Sequence, residues 1–403
     1  MSKITNQIVC MWKDDSKRKV ITVKKKKRLN KLKNGEILVK NLYVPVHGSF
    51  WLASSEKPSH PRIEEFLEKN YFVFGNGGIA KIIDKHMSVD DAEVGDYVAV
   101  FGHYPCNNYD CYSCKVLHRY TECQYRQGKI IGHGKDSYDG TFSEYTILPK
   151  YSYEICFKKK ENPTIKDIMP FMYSFLLADV RNALTRIPDL YKNNRMVLFG
   201  AGQSGSLAAY LFSNSSPENK IFLVDNDLKK ILKLKKNINS KIDYFIINKE
   251  LSNELNKKIP GYDFADLVSD TIEKISKKIN KFFDNKNLGL LMDCSSSNTS
   301  QLWSNNKILK ENSFVIPFGF ASNMILLDEM TMQKSGLTIM MSRGVGNQRN
   351  RKETIELIKR SKGKFISNLF LKNAVMVHGI DSMIDKIRKR KKYESKILIL
   401  SFK

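Results

Sequence analysis

The stretch MVLFGAGQSGSLAAYLF, at residues 196–212, constrains the fold more than any other part of the sequence. An apolar run typical of a buried strand leads into Gly200, Gly202 and Gly205, and an apolar segment with helical spacing follows. In a G-x-G-x-x-G turn the first glycine permits the tight turn, the second lets phosphates approach the backbone, and the third allows close packing of helix on strand. The helix N-terminus adds free N–H groups that favour a pyrophosphate. The stretch therefore predicts a dinucleotide-binding turn.

Asp225 ends the next predicted strand, IFLVD, about twenty residues after Gly205. A carboxylate at this place accepts hydrogen bonds from the adenosine ribose and repels a 2′-phosphate, so NAD is favoured over NADP. Lys230, just beyond, is predicted to help hold the adenosine end of the cofactor, the alternative being an ordinary surface or packing residue. The alternatives are that Asp225 is an ordinary turn residue, and that the sheet binds another nucleotide or none.

The pattern of predicted elements changes along the 403 residues. Residues 1–165 contain short, alternating apolar runs typical of a β-rich domain. From 166 to 335, strands alternate with helices, which indicates an α/β class with a doubly wound parallel sheet. Residues 336–403 mix helix and strand and are predicted to return to the first domain.

The net charge of +25 has two explanations. It would suit a polyanionic partner or a phosphorylated substrate, but the lysines are dispersed and fit the composition of an AT-rich genome. No nucleic-acid-binding motif accompanies them, so a nucleic-acid partner is not expected. No apolar run is long enough to span a membrane and no signal peptide is recognisable, so we expect a cytoplasmic protein without a membrane partner.

Four of the seven cysteines lie within the stretch CNNYDCYSCKVLHRYTEC, at residues 106–123. An odd number of cysteines with four clustered fits reduced thiols or a metal site better than a set of disulfides. The cluster is predicted to be either a metal site or a group of free thiols.

Several segments, in order, resemble those of the medium-chain dehydrogenase/reductase superfamily, which includes zinc alcohol, polyol and threonine dehydrogenases. They are EILVKNLYVPVHGS, VGDYVAVF, DGTFSEYTILP, the glycine-rich turn, SFVIPFG and SKILILSF. The resemblance implies a GroES-like catalytic domain at 1–165 with a cysteine lobe at 106–123. It also implies a Rossmann domain at 166–335 and a C-terminal return at 336–403. A homodimer or homotetramer and hydride transfer between NAD(P)(H) and a small substrate are then expected, and the net charge would suit an anionic or phosphorylated substrate.

The ligands of the family's catalytic zinc are replaced in this sequence. His47 stands at the position of the family's cysteine, Asn76 and Gly77 stand at its His-Glu pair, and Leu176 stands near its third ligand. Because a catalytic zinc needs three protein ligands, no catalytic zinc is expected. The lobe keeps four cysteines, Cys106, Cys111, Cys114 and Cys123, with outer spacings longer than the family's, and a structural zinc is expected there.

The resemblance and the chemistry together single out further site residues. Ser49 matches a family hydroxyl that relays a proton, and His47 would exchange that proton because an imidazole titrates near neutrality. The alternative for His47 is an imidazole that merely fills space. Cys294 is predicted to line the cofactor site, and Arg349 falls near a family arginine that approaches the cofactor phosphates; each would otherwise serve packing or lie on the surface.

Three functions follow. The first is an oxidoreductase acting on a carbonyl/alcohol pair or an activated C=C or C=N bond without catalytic zinc. The second is a conventional zinc-dependent alcohol or polyol dehydrogenase, and the third is a nucleotide-binding pseudoenzyme.

Overall fold

The computed structural model divides the chain into two compact units, residues 1–179 with 344–403 and residues 180–343. The first division falls within a helix, later than the predicted boundary at 165. The structure describes residues 5–14, 19–47, 50, 71–106, 108–120, 123, 131–132, 138–189, 194–255, 264–286, 288–295, 299–304, 307–309, 312–318, 336–341, 344–389 and 397–402.

The first unit begins as a β-rich domain. Its strands are β1 (Thr5–Asp14), β2 (Lys19–Arg28), β3 (Glu36–Pro45), β4 (Tyr71–Val73), β5 (Gly78–Lys85), β6 (Tyr97–Val100), β7 (Tyr145–Pro149) and β8 (Tyr153–Phe157). Its helical segments are α1 (Tyr112–Lys115), the 3-10 turn Lys159–Glu161, α2 (Ile165–Ile168), the 3-10 turn Met169–Tyr173 and α3 (Ser174–Thr185), which runs into the second unit.

The second unit alternates strands and helices. Its elements are β9 (Arg195–Phe199), α4 (Gln203–Ser215), β10 (Lys220–Asp225), α5 (Leu228–Asn237), β11 (Lys241–Ile246), α6 (Lys249–Leu255), α7 (Phe264–Phe282), β12 (Leu290–Asp293), α8 (Ser300–Trp303), β13 (Phe314–Pro317) and β14 (Thr338–Ile339).

The chain then returns to the first unit. The elements of this return are α9 (Gln348–Arg360), α10 (Lys364–Leu369), the 3-10 turn Leu371–Asn373, β15 (Val375–His378), α11 (Gly379–Arg388) and β16 (Leu398–Ser401). Within the described residues one sheet has the order β15-β16-β3-β5-β6-β8, with β7 also paired to β3, and a smaller sheet has the order β2-β1-β4. The C-terminal return predicted from the sequence is therefore built into the first unit's sheet through β16.

The described strands of the second unit form one parallel sheet in the order β11-β10-β9-β12-β13-β14. Strands β9, β10 and β12 are almost wholly buried, which explains why they are continuous apolar runs rather than alternating ones. The chain order reverses beside β9, so the carboxyl end of β9 is the topological switch point of this sheet. The predicted α/β fold, a β-rich GroES-like domain with a doubly wound Rossmann sheet, is confirmed. Within the described residues no helix is long and apolar enough to cross a bilayer.

The turn from β9 to α4 is closed by two glycines in different ways. Gly200 has φ of +88°, a backbone conformation that side chains rarely adopt. A Cβ on Gly205 would lie 1.8 Å from the carbonyl oxygen of Gly200, so no side chain fits between helix and strand. At Gly202, by contrast, a Cβ would meet no atom within 4 Å.

This contrast predicts that Gly205→Ala destabilises the second unit by about 3 kcal/mol, since backbone must move to make room. Gly202→Ala is the matched control and is expected to change the free energy of unfolding by about 0.5 kcal/mol or less. Urea-unfolding curves of both variants check the difference. Equal stabilities for the two would show that the turn is not closed as tightly as the structure has it.

Candidate functional site

The glycine-rich turn places a helix N-terminus at the switch point of the second unit's sheet. Gly202 is the N-cap of α4, and no atom lies within 4 Å of the place where its Cβ would stand, so there is open space beside it. The first N–H groups of α4 have no partner within the helix and, with the helix dipole, form a site suited to phosphate oxygens. The three predicted glycines are thus brought together in the arrangement that the sequence indicated.

Asp225 ends β10, and its buried carboxylate supports the turn. One oxygen accepts a hydrogen bond of 2.6 Å from the backbone N–H of Ala201, and the other accepts one of 2.7 Å from that of Asp227. A carboxylate has about four lone-pair sites, so this pairing still leaves acceptor capacity for ribose hydroxyls. Lys230, on the first turn of α5, lies 3.9 Å from the carboxylate of Asp227 and is part of an exposed ion pair.

Asp293, which sequence reasoning missed, organises the neighbouring edge of the sheet. Its carboxylate accepts hydrogen bonds from the N–H and hydroxyl of Ser295, the hydroxyl of Thr299 and the indole N–H of Trp303, at 2.6–2.9 Å. Burial raises the pKa of Asp293, although these four donors act in the opposite direction. The Asp followed by a Ser/Thr-rich stretch, DCSSSNTSQLW, is the sequence signal of this local network.

Cys294 packs beneath the glycine-rich turn. Its N–H donates to the carbonyl of Phe199 at 2.8 Å, and its Cβ is 3.5 Å from the place where a Cβ of Gly205 would stand. The thiol is partly exposed and is not in a disulfide. The residue therefore lies against the glycine-rich turn, and its lining of the cofactor site stays a prediction.

His47 lies just after β3, in an aromatic environment of the first unit. Its ring centroid is 6.4 Å from that of Tyr173, edge to face, and 6.3 Å from that of Phe175. A Cβ on Gly77 would lie 3.8 Å from Nε2 of His47, so Gly77 borders the imidazole. Of the positions matched to the family's zinc site, Gly77 is thus a neighbour of His47, and Phe175, which precedes the matched Leu176, also lies beside the imidazole. Ser49 lies outside the described residues.

Tyr173 is the proton-bearing group that sequence reasoning missed beside His47. Its side chain is completely buried and stacks on Phe370 with 4.6 Å between ring centroids. Burial raises the pKa of Tyr173 well above its usual range, so the phenol stays protonated. Among the described residues its hydroxyl has no hydrogen-bond partner, which is uncommon for a buried polar atom.

The four cysteines of the lobe converge on one point. Their Sγ atoms all lie within 4.8 Å of one another, with 3.4 Å between those of Cys111 and Cys123, and no two of them are joined by a disulfide. Four sulfurs in a tetrahedron around zinc at ~2.3 Å would stand roughly 3.8 Å apart, so the donor set fits that ion. The backbone N–H of Cys106 also points at Sγ of Cys114, 3.5 Å away, as in thiolate sites. Burial raises the pKa of Cys114 to about 11.

The two arginines at the start of α9 have opposite environments. Arg349, predicted near cofactor phosphates, is 84% exposed and forms an ion pair of 2.8 Å with Glu353 on the same helix. Arg351 is wholly buried, donates to the carbonyls of Tyr151 and His103, and lies over the ring of Tyr120 at 5.1 Å. Burial lowers the pKa of Arg351 to about 10. Sequence reasoning missed this residue, which joins α9 to the cysteine lobe.

Comparison with known proteins agrees with this geometry. Residues 33–160 match the alcohol dehydrogenase GroES-like domain family. L-threonine 3-dehydrogenase of Thermococcus kodakarensis is 29% identical over 182 residues, which are 43% of this chain and 44% of that relative, so the match spans less than half of its length.

Solved structures share the fold over almost the whole chain. An alcohol dehydrogenase from Thermotoga maritima has a TM-score of 0.72 at 13% identity, with 99% of each chain covered. An acetophenone reductase from Geotrichum candidum, in complex with NAD, has a TM-score of 0.69 at 15% identity, covering 99% of this chain and 97% of its own.

The Asp293 network predicts a large loss of stability on Asp293→Asn, about 3 kcal/mol, because an amide group would face donors that now point at a carboxylate. Ser295→Ala, which removes a single hydroxyl donor, should cost about 1 kcal/mol. Urea unfolding measures both. A loss for Asp293→Asn no larger than that for Ser295→Ala would mean that the carboxylate does not organise this edge.

Proposed function

We propose that the chain is a member of the medium-chain dehydrogenase/reductase superfamily and an oxidoreductase that transfers a hydride between NAD(H) and a small substrate without catalytic zinc. The observation that carries the proposal is the closed glycine-rich turn at the switch point of a parallel sheet. A nicotinamide cofactor would supply the hydride chemistry when bound there.

The second unit's residues support cofactor binding as follows. The N–H groups at the start of α4, beside the open space at Gly202, would bind the two phosphates. The remaining acceptor capacity of Asp225 would bind the adenosine ribose, and its negative charge would oppose a 2′-phosphate, so NAD is preferred to NADP. Lys230 forms an ion pair with Asp227, the N-cap of α5, and is assigned a weaker, electrostatic role. Arg349, on α9 of the first unit, pairs with Glu353 and is assigned the same kind of role.

The first unit's residues support proton handling without a metal. His47 and Tyr173 are adjacent, and the buried phenol is a donor at any physiological pH. An imidazole accepts or donates a proton near neutrality, which is what reduction of a carbonyl, imine or activated alkene requires at the atom beside the hydride acceptor. The neighbours of His47 named above are a tyrosine, a phenylalanine and a glycine, a setting that suits acid–base chemistry by the imidazole and the phenol. Ser49 keeps its assignment as proton relay.

Other features of the function remain predictions. A homodimer or homotetramer and a cytoplasmic location are proposed from the family resemblance alone. The charge of +25 would favour an anionic or phosphorylated substrate, although composition alone also explains it.

His47→Ala is expected to lower turnover by about tenfold or more, because proton transfer to the substrate loses its donor. NADH affinity, followed by the fluorescence of the reduced nicotinamide, should not change. His86→Ala is the control, since that imidazole is bonded to Ser88 on a turn of the same unit. Turnover is measured as NADH oxidation with a panel of aldehydes, ketones and activated alkenes. Unchanged turnover would remove His47 from the mechanism, and failure of the wild-type chain to bind NADH would leave a pseudoenzyme.

Metal analysis is expected to find about one zinc per chain, held by Cys106, Cys111, Cys114 and Cys123. Cys111→Ser and Cys123→Ser should lose that zinc and lower the melting temperature, because a structural zinc contributes folding free energy. Cys294→Ser, outside the lobe, should retain it. About two zinc atoms per chain would support the zinc-dependent dehydrogenase instead, and none would overturn the structural site.

A further inference from the structure

The first unit contains a cavity that the proposed chemistry does not use. Its volume is about 460 Å³, within the range of small-molecule sites, and it lies between strand β8 and helix α9. The residues of its lining that matter for binding are Tyr153, Glu154, Ile155, Lys352 and Ile355. None of the residues around His47 takes part in it. The cavity is therefore a separate feature of the same unit.

Opposite charges face this cavity without pairing. Glu154 comes from β8 and Lys352 from α9, and within the described residues neither side chain has a hydrogen bond or an ion pair. Elsewhere in this unit comparable groups do pair, as Lys158 does with Asp96 at 3.1 Å. A partly buried carboxylate without a donor loses hydration that no hydrogen bond from the chain replaces. A ligand cation would replace it.

The ionisation of Glu154 reflects the same environment. Burial raises the pKa of Glu154 to about 7, while the positive charges of Arg351 and Lys352 act to lower it and Asp91 acts to raise it. The other charged groups on the cavity wall are Lys150 and Glu356. Lys352 is thus close enough to influence Glu154, although the two side chains, both within the described residues, form no ion pair. An ammonium and a carboxylate that face the same cavity without pairing can each bind the opposite charge of a ligand that carries both a carboxylate and an ammonium group.

We propose that this cavity binds a small zwitterion, whose ammonium group is held by Glu154 and whose carboxylate is held by Lys352. The side chains of Tyr153, Ile155 and Ile355 provide an apolar wall for a short aliphatic body between the two charges. The chemical class is an amino acid or ω-amino acid. The site is independent of the proposed hydride transfer, since it shares no residue with the cofactor turn or with the surroundings of His47.

The test is calorimetric titration of the full-length protein at about pH 8 with glycine, 4-aminobutanoate and 6-aminohexanoate, which place the two charges at increasing separation. At least one should bind saturably, about tenfold or more tightly than butylamine and butanoate, which each carry one of the charges. Lowering the pH to about 6 should weaken binding, since Glu154 is then protonated. Saturable binding to none of the zwitterions, or equally tight binding of butylamine or butanoate, would overturn the proposal.

Two variants localise the binding. Glu154→Gln and Lys352→Gln should each raise the dissociation constant of the best zwitterion by about tenfold or more, with melting temperature recorded to confirm folding. Glu218→Gln and Lys372→Gln, exposed positions outside the cavity, are the matched controls and should not change it. Wild-type affinity in both cavity variants would show that the zwitterion binds elsewhere and would overturn the assignment.

Discussion

The tight turn between β9 and α4 is the constraint on which the second unit depends. Helix α4 can begin where it does only because position 205 carries no side chain to meet the carbonyl of Gly200. Both neighbouring strands hold the turn in place: Asp225 at the end of β10 accepts from Ala201, and Cys294 after β12 donates to Phe199. The helix N-terminus is therefore fixed at the carboxyl edge of the sheet, where the order of strands leaves a crevice.

Much of this could be predicted from the sequence because the relevant signals are local. A buried strand, three glycines at set spacing and an amphipathic helix lie within seventeen residues, and each has a separate physical reason to be there. The order of β-rich and alternating segments then gave the fold class, since continuous apolar strands indicate a parallel sheet. The four lobe cysteines were likewise visible, and the structure brings their sulfurs together.

The groups that were missed are those whose partners lie far away in the chain. Arg351 donates to a carbonyl 248 positions earlier, and no local pattern distinguishes it from the exposed Arg349 two residues before. In the sequence, Tyr173 is one aromatic residue of an apolar segment. Only its position beside His47 in the structure makes its hydroxyl a candidate proton donor. The sequence indicates Asp225 by its place at the end of a strand, but not the hydrogen bond that its carboxylate accepts from Ala201 in the glycine-rich turn. Burial and hydrogen bonds between residues distant in the chain decide these roles. The periodicity of apolar residues in the sequence predicts neither of them.

Arg351 also shows why the lobe and the surroundings of His47 cannot be treated as separate. Its guanidinium bonds the carbonyl of His103 at 3.3 Å and lies over Tyr120, which packs among the lobe cysteines. The ring of His103 stacks on Phe175 at 5.7 Å, and Phe175 borders His47. A buried cation is destabilising when it lacks partners. Loosening the lobe would remove the contact of Arg351 with Tyr120 and would thereby weaken the hydrogen bond that Arg351 donates to the carbonyl of His103. A metal that closes the lobe would for this reason stabilise the aromatic wall beside His47 through the packing of Arg351.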